Sequence, residues 1–64
     1  MTEAQIKFLN NFYEEDGYSL EEIPEMISQA HILEDKNYLV LIWRNGASDV
    51  FLKDKDQLKY QTVN

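Results

Sequence analysis

The sequence contains no cysteine, which excludes a disulfide framework and any thiolate metal site. It has one histidine, His31, which would need further nitrogen or sulfur ligands to hold zinc. No apolar run approaches the ~20 residues of a membrane-spanning helix. The first residues carry a single lysine and no apolar leader core, so a cytoplasmic protein with no membrane partner is expected. Positive charge is nearly missing from the first half. Residues 1–32 hold Glu3, Glu14, Glu15, Asp16, Glu21, Glu22 and Glu25 against Lys7 alone, while acids and bases balance over residues 33–64. The whole net charge of −6 therefore lies in the N-terminal half. Such a charge repels phosphate and anionic lipid, which counts against direct nucleic-acid binding.

What is present is enough for one small folded domain over residues 1–64. Its apolar fraction is 44% and its aromatic fraction 12%, as in folded rather than disordered chains. A chain this short buries only about 60% of its unfolded surface. Without a covalent staple it must rely on tight packing, self-association or a partner.

The first segment reads as a helix. Thr2 and Gln5 have capping-box spacing, and Ile6, Phe8, Leu9, Phe12 and Tyr13 fall in one arc at 100° per residue. Gly17 can take the left-handed conformation that ends it. Glu14, Glu15 and Asp16 then sit at the negative end of the helix dipole, each at a cost of about 0.3–1 kcal/mol if exposed. A second box, Ser19 and Glu22, opens another helix, with Tyr18 and Ile23 spaced as a hydrophobic staple. Here Glu21, Glu22 and Glu25 lie near the positive end, where they help. Pro24 either begins the main helix after a single turn or kinks a continuous one. Ile23, Met26, Ile27 and Ala30 form its apolar stripe. The helix is expected to fade near His31 to Leu33, before the polar turn EDKN.

The period then changes. YLVLIW (Tyr38 to Trp43) is an apolar run of strand formers followed by Asn45-Gly46, a hairpin signal. A two-residue type I′ turn pairs Arg44 with Ala47, Leu41 with Val50, Val40 with Phe51 and Leu39 with Leu52. DKDQ (Asp54 to Gln57) is the next turn, and LKYQTV a third, edge strand. The expected fold is α+β, with two helices on one face of a small antiparallel meander, ααβββ. In this register Leu39, Leu41, Trp43, Val50 and Leu52 form the uncharged core face. Tyr38, Val40, Ile42 and Phe51 form an uncovered patch, bordered by Arg44, Asp49 and Lys53. An apolar patch of this kind points to an interface.

Chemistry-bearing residues are few. His31 has no nucleophile or orienting partner nearby in sequence and is read as structural or solvated. DKDQ lacks the glycine and closing glutamate of a calcium loop. Both glycines are explained by turns, so no phosphate loop is visible. Trp43, Tyr38, Phe51 and Tyr60 could stack on bases, but no positive groove accompanies them. No catalytic residue, metal site or cofactor is expected, and the chain is not read as an enzyme.

Two function classes remain. The first is a non-catalytic interaction module or regulator. It would act through Tyr38, Val40, Ile42, Phe51 and Arg44, as a homodimer or with a protein partner. The second is an acidic inhibitor of the DNA-mimic type, as used in phage anti-defence. Its surface of Glu14, Glu15, Asp16, Glu21, Glu22 and Glu25 would occupy the basic groove of a nucleic-acid-handling protein.

Overall fold

The computed structural model describes residues 1–55 and 57–61. Helix α1 spans Glu3–Glu15 and opens with the expected capping box. The Thr2 hydroxyl accepts the Gln5 N–H at 3.1 Å, and the Gln5 amide oxygen accepts the Thr2 N–H at 2.9 Å. Two orphan donors of the first turn are thus satisfied by side chains. The helix ends at Gly17, whose φ is +107°. The Gly17 N–H donates to the Glu14 carbonyl at 3.0 Å and the Tyr18 N–H to the Tyr13 carbonyl at 3.1 Å. That pair of bonds is the Schellman motif, and the Tyr13 and Tyr18 rings supply its hydrophobic contact at 6.3 Å.

Helix α2 spans Glu22–Gln29. The second box forms as read: Ser19 Oγ accepts the Glu22 N–H at 3.2 Å, and the Glu22 carboxylate accepts the Ser19 N–H at 2.9 Å. Pro24 falls in the first turn of α2, where a missing N–H removes no intrahelical bond. Pro24 therefore does not open the helix as the single-turn reading expects: it is the third residue of α2, which already includes Glu22 and Ile23.

Four antiparallel strands follow in the order β1 (His31–Glu34), β2 (Tyr38–Ile42), β3 (Ser48–Asp54) and β4 (Gln57–Gln61). The α+β class with two helices preceding a meander holds, but the sheet has one more strand than expected. The segment read as a fading helix is strand β1. Ala30 already has extended backbone, with ψ 150°, and His31 to Glu34 pair with Ile42 to Leu39. The turn read from EDKN joins these strands. Asp35 Oδ1 accepts the N–H groups of Asn37 and Tyr38, both at 2.7 Å, so one carboxylate organises the loop. β4 is an edge strand, as read. The expected continuation through Thr62 and Val63, and Asp56 of the DKDQ turn, lie outside the described residues.

The hairpin signal at Asn45-Gly46 is correct in place but not in length. Trp43 pairs across a three-residue loop: its N–H donates to the Ala47 carbonyl at 2.8 Å, and its carbonyl accepts the Gly46 N–H at 3.0 Å. A type I′ turn needs positive φ at both central residues. Among the described residues only Gly46, Gly17 and Lys55 have positive φ, so Asn45 does not meet that need. Asn45 instead caps the loop by accepting the Ala47 N–H at 3.0 Å.

The extra loop residue shifts the register by one. Leu39 pairs with Phe51, Val40 with Val50 and Leu41 with Asp49. A shift of one sends every side chain of β3 to the other face. Phe51 is therefore fully buried with Leu39 and Leu41 beneath Leu9, Tyr13, Ile23 and Ile27. Phe8 and Phe12 meet the Phe51 ring edge-on at 5.9 and 5.3 Å. Trp43 packs on this helix-covered side, as expected. Val50 and Leu52, expected in the core, lie on the opposite face. In α1, Leu9 and Tyr13 are buried and Phe8 and Phe12 partly so. Ile6 departs from the expected arc and is exposed, while Gln5 is buried in its place.

Candidate functional site

Both helices lie on one side of the sheet, and no described element covers the other. The pairing registers place six apolar side chains on that open face. Leu33, Val40 and Val50 form one cross-strand row, Tyr38 and Leu52 a second, and Ile42 begins a third beside His31 and Ser48. Leu33 is 49% exposed and Tyr38 43%. Val40, Ile42, Val50 and Leu52 are partly exposed. Polar residues close the patch at the edges: His31 on β1, Asp54 on β3, and Gln57, Lys59 and Gln61 on β4.

Three of the expected interface residues, Tyr38, Val40 and Ile42, are thus brought together on one surface. Phe51 is a correction: the one-residue register shift turns it inward, where it is 0% exposed. Arg44 is another. It stands in the hairpin loop, and its guanidinium reaches Gln29 Oε1 on α2 at 3.4 Å, toward the helical layer rather than the open face. Asp49 and Lys53 also change sides. Lys53 Nζ donates to Glu34 Oε2 at 2.7 Å and to the Asp35 carbonyl at 2.9 Å. That hydrogen bond holds the Glu34 carboxyl below its ordinary value. The sequence reading missed Leu33, Val50 and Leu52. The signal for Leu33 was the alternation of HILE, too short to stand out against the end of a helix.

The acidic residues divide as their sequence positions suggest. Glu14, Glu15 and Asp16 are exposed at the C-terminal end of α1. No ion pair among the described residues involves them; the carboxylate in both is Glu34. Glu21, Glu22 and Glu25 are exposed at the start of α2. Backbone and side-chain hydrogen bonds with Ser19 lower the Glu22 carboxyl below its usual range, which gives that residue a structural role.

A second concave feature lies on the helical side. A groove of about 470 Å³ runs between the end of α1, α2 and the β2–β3 loop, and Tyr13, Asp16, Tyr18, Trp43, Arg44 and Asp49 are among its lining residues. Asp49 lies in it with three donors. Its Oδ2 accepts the Tyr13 hydroxyl at 2.7 Å and Trp43 Nε1 at 3.0 Å, and its Oδ1 accepts the Tyr60 hydroxyl at 3.3 Å. Burial first, and then this carboxylate, push the Tyr13 phenol above its ordinary value. The Asp49 charge, before burial, does the same to Tyr60.

His31 lies exposed at the start of β1. No group of three or more metal-ligating side chains occurs among the described residues. None of their helices is long and apolar enough to cross a membrane. No protein-family model, curated protein or solved structure matches the chain.

Proposed function

We propose that this chain is a small non-catalytic interaction module of the cytoplasm that acts through its open sheet face. The observation that carries the reading is the continuous surface of Leu33, Tyr38, Val40, Ile42, Val50 and Leu52, which no described element covers. An apolar centre within a polar rim is the usual anatomy of an interface.

The charge distribution favours a second copy of the chain as the occupant. The excess acids lie on the helical elements, and the rim of the sheet face carries both Asp54 and Lys59. Two copies can therefore meet sheet to sheet with their acidic layers outermost and little net repulsion across the contact. Ile42→Asp tests the reading. A carboxylate placed in the apolar contact is costly to desolvate. The variant should keep its far-ultraviolet circular dichroism and lose self-association by size-exclusion chromatography. Unchanged association would remove the sheet face from consideration.

The acidic-inhibitor reading has its own observation. Glu14, Glu15 and Asp16 lie exposed at a helix end that disfavours them, and no described cation pairs with them. A local cost without visible compensation is where function is sought.

A further inference from the structure

The groove on the helical side has the walls and charge of a cation site. The Trp43 ring stands at 85° to Tyr13 with centroids 5.4 Å apart, and the Tyr18 ring at 74° with centroids 6.3 Å apart. Both rings thus pack edge-to-face on Tyr13, and all three aromatics line the groove. Tyr13 is only 3% exposed and Tyr18 is 40% exposed, so the first is the floor and the second an open wall. Aromatic rings attract cations through their quadrupole.

The groove also holds carboxylate oxygens. Asp49 is anchored by three neutral donors, and no lysine or arginine among the described residues forms an ion pair with it. Among the described residues, two donors bond its Oδ2 and a single longer bond, from Tyr60 at 3.3 Å, reaches its Oδ1. Asp16 lines the same groove. It is the C-cap of α1, so the negative end of the helix dipole lies beside it. Arg44 also lines the groove and keeps its positive charge, but its guanidinium reaches Gln29 Oε1 on α2 at 3.4 Å, and the carboxylates of Asp16 and Asp49 outnumber it.

We propose that this groove receives an arginine side chain presented by a protein partner, with the guanidinium stacked against Trp43 and Tyr18 and hydrogen-bonded to Asp49 Oδ1. A guanidinium is planar and weakly hydrated. It can therefore stack and donate together, which an ammonium group cannot. The site also gives a role to Asp16, whose position at the negative helix end is otherwise unfavourable.

The test uses the full chain and the peptide acetyl-Gly-Arg-Gly-amide, with counterparts carrying citrulline or lysine. Trp43 is the only tryptophan, so its fluorescence reports on the groove, and amide chemical shifts of Tyr18 and Met26 give a second reading. The arginine peptide should perturb both saturably, and citrulline, which has the same shape without charge, should not. Asp49→Asn should weaken binding about tenfold or more, as loss of a charge-assisted bond implies. Tyr18→Ala, at an exposed wall, should weaken it about threefold. Ile42→Asp, on the opposite face, should bind the peptide as wild type does, which separates this site from the sheet-face interface. Equal responses to arginine and citrulline, or undiminished binding by both folded Asp49→Asn and Tyr18→Ala, would overturn the proposal. Equal binding of the lysine peptide would overturn the guanidinium assignment.

Discussion

Tyr13 donates its hydroxyl to Asp49 at 2.7 Å and so ties α1 to β3 across 36 positions of sequence. The same carboxylate oxygen holds Trp43 Nε1. One acceptor therefore satisfies the polar ends of two aromatic side chains whose apolar bodies pack on the core. Asp49→Ala removes it and leaves both donors short of a partner. The expected loss is about 1–3 kcal/mol of stability, read from chemical denaturation, together with a shift in Trp43 emission. Unchanged stability would mean that water replaces the carboxylate at no cost.

The register of the hairpin makes a sharper prediction. Phe51→Ala should cost about 3–5 kcal/mol, a large part of what so small a domain has. Val50→Thr, one position earlier and on the open face, should change stability by less than about 1 kcal/mol at dilutions where any dimer dissociates. A two-residue turn at Asn45-Gly46 would invert the order of the two.

The difference between those turns explains most of what the sequence concealed. Both capping boxes were legible because each is a local exchange between a hydroxyl and a side chain three residues on. The strand β2 was legible from its composition. The loop length was not, because Asn-Gly serves a two-residue turn and a three-residue loop equally well, and only tertiary packing selects between them. Choosing the uncharged face as the core also misled. Asp49 and Lys53 can lie on the helical side because Tyr13, Trp43 and Tyr60 bond the one and Glu34 the other. Except for Trp43, across the hairpin loop, those partners are distant in sequence. Strand β1 was hidden because four residues are too few for a period to show. Even so, Tyr38, Val40 and Ile42 were placed on the open face, since β2 alternates independently of its partner's register.

Stability should fall at acid pH. Hydrogen bonds from Lys53 to Glu34, from the Asn37 and Tyr38 N–H groups to Asp35, and between Ser19 and Glu22 lower these carboxyls in the folded protein. A carboxyl with a depressed folded value stabilises above its unfolded value, and that contribution is lost as pH falls through the folded one. The loss should thus begin near the ordinary values of 4.5 for Glu34 and Glu22 and 3.8 for Asp35 and continue below them. Lys53→Met should flatten the part due to Glu34, measured as denaturation midpoint against pH.

Alkali acts through Tyr13, whose phenol is raised from its ordinary 10.0. Above that pH the folded state holds a proton that the unfolded state releases, so stability falls as pH rises. In an absorbance titration, Tyr13 should stay neutral until the chain unfolds. Ionisation of all four tyrosines in the still folded protein would contradict this.

Replacing Glu14, Glu15 and Asp16 together by Lys puts positive charge at the end of α1, where the dipole favours it. The melting temperature should rise, by about 4–8 °C for each kcal/mol relieved in a domain of this size. If these acids meet a basic partner, that partner's association rate should fall, and the wild-type rate should be salt-sensitive. A lower melting temperature would show that the cluster has structural support within the chain.

Sedimentation equilibrium of the wild type beside Val50→Asp tests the role of the open face most directly. Val50 lies in the central row of that face, so the charge enters the contact without touching the core. The wild type should sediment as a dimer in exchange with monomer, and Val50→Asp as a folded monomer at every concentration. A wild type that remains monomeric throughout the same concentration range, or a Val50→Asp variant that still dimerises, would contradict the account.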